Sequence, residues 1–282
     1  MLTKATLADI TQYCDFIYNL ALDQTKSSYP TYADSIKTKA DFIADTQQAV
    51  TKANSELLLF ILDGVVEGWI RYFWIPEDHY LQLCACNIRR ETGKALEELL
   101  TLLTQRFPGY TLYFGFPGCN TEAISFLRKN GFQCIEEAWN HSFFLDNYSI
   151  CTEENSIARI NRSNYDDFRA VYKPDADTYW NCDRILAALD EWSIFVYYKN
   201  SIPTGTIFFQ GDNGYYEIFG IEFADGEYQD EICQALLTAA LNHCKHLGAK
   251  YMTFFCEEAY RKVVSELGFC CVGQYVCYVK TV

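Results

Sequence analysis

The feature that most constrains this 282-residue chain is a pattern that occurs twice. Leu58-Leu59-Phe60-Ile61-Leu62-Asp63-Gly64 is an apolar run that closes on a turn, and Val66-Glu67-Gly68-Trp69-Ile70-Arg71-Tyr72-Phe73 follows it, so the two predict a β-hairpin. Ser193-Ile194-Phe195-Val196-Tyr197-Tyr198-Lys199-Asn200, followed by Pro203-Thr204-Gly205-Thr206-Ile207-Phe208-Phe209, repeats it, with Gly68 and Gly205 137 residues apart. A further strand comes next in each half, Tyr80 to Cys86 and Tyr216 to Ile221. Each leads into a helix with leucines on one face, about Gly93 to Gln105 and about Asp230 to Lys245. Another strand follows, Thr111 to Phe116 or Tyr251 to Phe255, and then a short helix ending in Asn130-Gly131-Phe132 or Leu267-Gly268-Phe269. Gly131 and Gly268 are again 137 apart.

Upstream the spacing changes. Ala5-Thr6-Leu7-Ala8-Asp9 matches Ile160-Asn161-Arg162-Ser163-Asn164 at an offset of 155, so the second copy is about 18 residues shorter before its hairpin. The polar stretch Asp146 to Ser156 separates the copies, which gives expected domains of 1–148 and 149–282. Both are α/β, each a mixed, largely antiparallel twisted sheet flanked by helices.

Bulk composition narrows the function classes. Half the residues are hydrophobic, enough to bury a core, and no apolar run approaches the ~20 residues of a membrane span. Met1 to Asp9 lacks the apolar core of a signal peptide, so a soluble cytoplasmic protein is expected. Thirteen cysteines, an odd number scattered through apolar strands, read as reduced thiols. His243 and His246 flank Cys244 with no second ligand cluster, so no metal is expected. A net charge of −14 argues against nucleic acid and against anionic membrane. Nothing in the pattern sets an oligomeric state.

Strand, helices, hairpin, strand, helix, strand, helix and Gly-Phe strand together resemble the GNAT superfamily of acyl-CoA-dependent N-acyltransferases, twice over. In the first copy, Arg90-Glu91-Thr92-Gly93-Lys94-Ala95 is similar to the family's Arg/Gln-x-x-Gly-x-Gly/Ala loop, and it lies between a strand and a helix. Such a loop aims backbone N–H groups and a helix N-terminus at a pyrophosphate. Gly93 permits close approach, and Arg89, Arg90 and Lys94 add charge. The resemblance extends to Asn120-Thr121-Glu122-Ala123, where Asn120 is also a good helix N-cap. It implies acetyl-CoA as cosubstrate, held by Cys86, Asn87, Ile88, Arg89, Arg90, Thr92, Gly93, Lys94, Ala95 and Asn120. At the offset of 137, Asn87 to Lys94 maps to Ala224 to Glu231, where four acidic residues replace the basic loop, Gly93 becomes Asp230 and Asn120 becomes Glu257. Carboxylates there repel a pyrophosphate, so the second copy is expected not to bind it.

By the resemblance, a splay between the fourth and fifth strands holds the pantetheine, and a strand N–H near Cys84 to Cys86 polarises the thioester carbonyl. The tyrosine that many relatives use as acid is replaced by Leu127 and Val264. Glu77, Asp78 and His79, in the turn before the fourth strand, are the nearest acid or base candidates, with Cys84 beside the carbonyl; His141, Glu217 and Glu222 stand behind them. Tyr72, Trp74, Tyr179 and Trp180 are candidates to line an acceptor pocket. The expected reaction is acetyl transfer to a small amine; a non-catalytic acyl-CoA sensor or scaffold is the alternative.

Overall fold

The computed structural model describes residues 1–28, 38–152, 155–175, 178–212 and 214–282. The first half runs β1 (Leu2–Lys4), α1 (Leu7–Ala21), α2 (Lys39–Thr51), β2 (Ser55–Leu62), β3 (Val65–Ile75), β4 (Tyr80–Ile88), α3 (Thr92–Arg106), β5 (Thr111–Pro117), α4 (Thr121–Lys129) and β6 (Gln133–Phe144). The second repeats that order as β7 (Ile157–Arg159), α5 (Tyr165–Val171), α6 (Cys182–Ala187), β8 (Trp192–Lys199), β9 (Ile202–Asp212), β10 (Tyr215–Phe223), α7 (Asp230–His246), β11 (Tyr251–Cys256), α8 (Arg261–Glu266) and β12 (Cys270–Thr281). The shortening of the second copy falls on its first two helices, of 7 and 6 residues against 15 and 13.

Two compact units form, Met1–Ala138 with Val272–Val282, and Trp139–Cys271. In the first, β1, β2, β3 and β4 pair antiparallel in sequence order, β4 pairs parallel with β5, and β5 pairs antiparallel with β12. In the second, β7 to β10 repeat the antiparallel run, β10 pairs parallel with β11, and β11 pairs antiparallel with β6. The sixth strand of each unit therefore comes from the other half of the chain. A division at 148/149 separates the sequence copies, whereas the compact units divide at 138/139 and 271/272. The physical reason is that β12 pairs antiparallel with β5 and β6 with β11, a choice of strand partner that consecutive residues do not record.

Strand alternation sets the two faces of each sheet. In the first unit, Leu58, Phe60, Ile70, Leu81, Leu83, Leu112 and Phe114 pack under α3 and α4 through Leu96, Leu99 and Leu127. Leu57, Leu59 and Trp69 point the other way, onto Ile10, Ile17 and Phe42 of α1 and α2. Threonine capping boxes start both of those helices, Thr6 with Asp9 and Thr38 with Asp41. The second unit repeats the arrangement with Ile207, Phe209, Ile218, Met252 and Phe254 under α7 and α8.

Each unit also carries two β-bulges at matching places. Glu67 in β3 and Thr204 in β9 are the extra residues of the first pair. Cys84 in β4 and Phe219 in β10 are those of the second. Ile88 lies opposite Gly68 and Phe223 opposite Gly205, an offset of 135, while the buried residues of α3 and α7 (Ala95, Leu96 and Leu99; Ile232, Cys233 and Leu236) return to 137. A fixed offset across the loop is thus corrected: the second copy has two extra residues there, and Asn87 matches Glu222. No described helix is long and apolar enough to cross a membrane.

Candidate functional site

In the first unit β4 and β5 pair from Tyr80 opposite Thr111 only as far as Leu83 opposite Phe114. The bulge at Cys84 follows at once, and the strands separate beyond it. Glu91 then adopts a left-handed conformation, φ 60°, which turns the chain sharply from β4 into α3.

The edge of β4 that faces this opening is paired to the chain itself. Cys86 N–H donates to Ser28 Oγ at 2.7 Å, Ser28 N–H donates to the Cys86 carbonyl at 3.0 Å, and Ile88 N–H donates to the Lys26 carbonyl at 3.0 Å. That is antiparallel ladder geometry, so Lys26–Ser28 acts as a short strand laid along β4. Asn120 Nδ2 donates to the Ser27 carbonyl at 2.9 Å while Asn120 Oδ1 accepts the Ala123 N–H and caps α4. Ser27, Ser28, Cys86 and Asn120 are all buried.

The loop leading to α3 is less cationic than its sequence suggests. Arg89 and Arg90 both pair with the fully buried Glu67, at 2.8 and 2.7 Å. The Arg89 hydrogen bond is the first cause that holds the Glu67 carboxyl below its usual range. Of the three cations, Lys94 is exposed and makes no ion pair among the described residues. At the α3 N-terminus, Gly93 N–H donates to Glu122 Oε1 at 3.0 Å. A carboxylate oxygen of this chain thus occupies a position suited to an anion. A Cβ on Gly93 would have no neighbour nearer than that oxygen, at 3.9 Å, so the helix start is sterically open. Close by in sequence, Asn87 Nδ2 and Thr92 Oγ1 are buried without a hydrogen-bond partner.

No family model matches this sequence, and no curated relative does. Solved structures do. A GCN5-related N-acetyltransferase from Sphaerobacter thermophilus aligns over 99% of this chain and 95% of its own, with a TM-score of 0.63 and 14% identity. A tandem GNAT protein from the clavulanic acid biosynthesis pathway aligns over 99% and 98%, with a TM-score of 0.52 and 11% identity. This chain has a tandem GNAT fold. A GCN5-related N-acetyltransferase from Kribbella flavida covers 85% of the chain with a TM-score of 0.51 and 12% identity. Identities this low establish architecture and leave chemistry to the residues.

Within the GNAT fold, the expected cofactor residues Cys86, Asn87, Ile88, Arg89, Arg90, Thr92, Gly93, Lys94, Ala95 and Asn120 do lie around one place, the end of β4, the start of α3 and the cap of α4. Two of the catalytic candidates do not. Glu77 and His79 belong to the turn before β4, and at ~3.3 Å per residue Cys84, where the strands part, is about 17 Å or more further along the strand. His79 instead lies against Tyr110, with ring centroids 5.3 Å apart. Cys84 is better placed, as the bulge residue where the strands part. Leu127 and Val264 are core. Tyr72 is core as well, donating to Glu56 beside Arg106. His141 is buried in the second unit, its Nδ1 3.1 Å from the Trp139 carbonyl, and burial holds its pKa down. Glu217 accepts from Tyr215 at 2.7 Å.

The second unit's opening is filled differently. β10 and β11 pair from Tyr215 opposite Tyr251 to Ile218 opposite Phe254. Beyond that, Tyr260 donates to the Ile221 carbonyl at 2.9 Å, and the Tyr228 ring meets it edge-on at 4.9 Å. Aromatic side chains fill the space that a backbone segment fills in the first unit. Asp225, Glu227, Asp230 and Glu231 line the adjoining loop, with Asp230 paired to Lys262 at 3.0 Å.

Sequence reasoning missed a cleft on the α2 side of the first sheet, of about 510 Å³. Asp45, Gln48, Lys52, Arg71, Phe73 and Cys84 help line it. The available signal was Arg71, the one cation of β3, whose other charged residue, Glu67, is taken up by Arg89 and Arg90.

Proposed function

We propose that the first unit is an acetyl-CoA-dependent N-acetyltransferase acting on a small amine. The observation that carries this reading is the parting of β4 and β5 at the Cys84 bulge, beside a helix N-terminus that already holds a carboxylate oxygen. The β4 edge at Cys86 and Ile88 and the Asn120 amide would hold the pantetheine arm. Thr92, Gly93 and the α3 N-terminus would hold phosphate, with Glu122 giving way. Acetyl-CoA supplies the activated acyl group. A backbone N–H near Cys84 to Cys86 polarises its carbonyl, and positioning against the amine supplies the greater part of the rate.

Binding under this reading displaces Lys26–Ser28, because both need the same edge of β4. Acidic residues and the Tyr228–Tyr260 pair keep the second unit from taking the same ligand. A second reading, a non-catalytic acyl-CoA sensor or scaffold, is favoured by the prefilled slot and by Leu127 in place of the family's tyrosine.

Calorimetry with acetyl-CoA on the wild type and on Gly93→Asp tests the site. The wild type is expected to bind and the variant to lose at least about tenfold, since a second carboxylate beside Glu122 repels phosphate. Equal affinities contradict the site. Thiol release over a panel of amines then separates enzyme from sensor.

A further inference from the structure

We infer that the acceptor carries a carboxylate, which the cleft beside Cys84 holds through Arg71. The inference rests on the acetyltransferase reading and deepens it. Its basis is position, set by Cys84 where cleft and acyl-donor slot meet, together with charge and an orphaned donor on residues outside that slot.

Position comes from the bulge. Cys84 marks the point where β4 leaves β5, and the Cys84 side chain lines the cleft. A molecule in the cleft therefore abuts the stretch, Cys84 to Cys86, at which the acyl group is presented. Volume is suitable, since about 510 Å³ accommodates an amino-acid-sized molecule.

Charge runs against the molecule as a whole. The chain carries −14, which suits a cationic acceptor. Inside the cleft the lining has two cations, Lys52 and Arg71, against one carboxylate, Asp45. Lys52 lies at the exposed mouth, while Arg71 is half-buried on β3. A polyamine would meet two like charges there.

The orphaned donor is on Arg71 itself. Its Nη1 donates to the Asp45 backbone carbonyl at 3.3 Å, and its Nε is buried with no hydrogen-bond partner. No ion pair to a carboxylate side chain neutralises it among the described residues, unlike Arg89, Arg90 and Arg106. The buried Nε is a cost the fold already carries, while the half-exposed remainder of the guanidinium has no anionic partner among the described residues, and a ligand carboxylate in the cleft supplies one with charge-assisted bonds. With the carboxylate on Arg71, the α-amino group of an amino acid can point toward Cys84. Phe73 and Ile75, also in the lining, offer apolar surface to its side chain.

The test uses the full chain without acetyl-CoA, so that it does not depend on the donor site. Binding of L-phenylalanine, L-tyrosine and L-tryptophan is compared by NMR titration with that of their decarboxylated amines, phenethylamine, tyramine and tryptamine. At least one amino acid is expected to bind tenfold or more tightly than its amine, and Arg71→Gln to remove the difference. Gln48→Trp, an exposed change at the mouth, is expected to abolish binding with the fold intact, which covers the case in which the Arg71 variant fails to fold. Equal binding of acid and amine, a preference that survives Arg71→Gln, or no binding by any of the six overturns the inference. Amino-acid binding without acetyl-CoA binding would sink the donor site and leave the carboxylate site standing.

Discussion

His243 illustrates how a single side chain couples this fold to pH. Its Nε2 lies 3.1 Å from Ser193 Oγ, and its ring meets Phe195 and Phe209 at 5.3 and 6.1 Å. Burial, then the charges of Arg159 and His246, push its pKa down from 6.5 to about 4. The unfolded chain takes up a proton that the folded chain refuses, so stability falls as pH drops from about 6.5 to about 4. Partial exposure limits that loss to about 1–2 kcal/mol. Urea titrations at pH 7 and 4.5 should show the loss in the wild type and a smaller one in His243→Gln; equal losses would remove His243 from the account. The same scale shows where sequence reading ran out. Arg89 and Arg90 read as phosphate-binding cations because their partner Glu67 is 22 and 23 residues away and reaches them from a bulge. Residue type was legible at these positions; pairing was not, because an ion pair depends on strand register.

Among the elements, the two hairpin glycines look equivalent and are held by different contacts. A Cβ on Gly68 would sit 1.9 Å from the Asn87 backbone carbonyl oxygen, which cannot move without breaking the β3–β4 ladder. On Gly205 it would meet Ile232 Cγ2 at 2.6 Å, the end of a side chain on α7. Gly68→Ala should therefore cost about 3 kcal/mol and Gly205→Ala about 1 kcal/mol, by overpacking against backbone and side chain respectively. Thermal unfolding of the two variants checks this, and the reverse order would contradict it. Strands and helices were legible because alternation and helical spacing are written in consecutive residues, as in Leu81-Gln82-Leu83 or Leu96, Leu99 and Leu103. The bulges at Glu67 and Cys84 were not, since a bulge is a relation between two strands. Nor was the pairing of Lys26–Ser28 with β4, which joins a polar connector to a strand some 60 positions away.

For the molecule as a whole, the exchange of last strands has a direct consequence. Removing residues 272–282 takes β12 from the first unit and leaves the second unit's own strands complete. Amide exchange of a chain ending at Cys271 should show protection lost in Thr111–Pro117 and kept in Tyr251–Cys256; loss confined to the second unit would contradict the division. The tandem repeat itself was legible from Gly68, Gly205, Gly131 and Gly268, but the cut between units was not, because consecutive residues do not record the choice of strand partner. The central claim is that the β4 edge beyond Cys84 is the acyl-donor slot and that Lys26–Ser28 occupies it beforehand. Amide exchange of the full chain with and without coenzyme A tests it most directly. Faster exchange at Ser28, continued protection at Cys86 and Ile88, and no change over 224–231 are the predicted result. Unchanged exchange at Ser28, or new protection over 224–231, would contradict it.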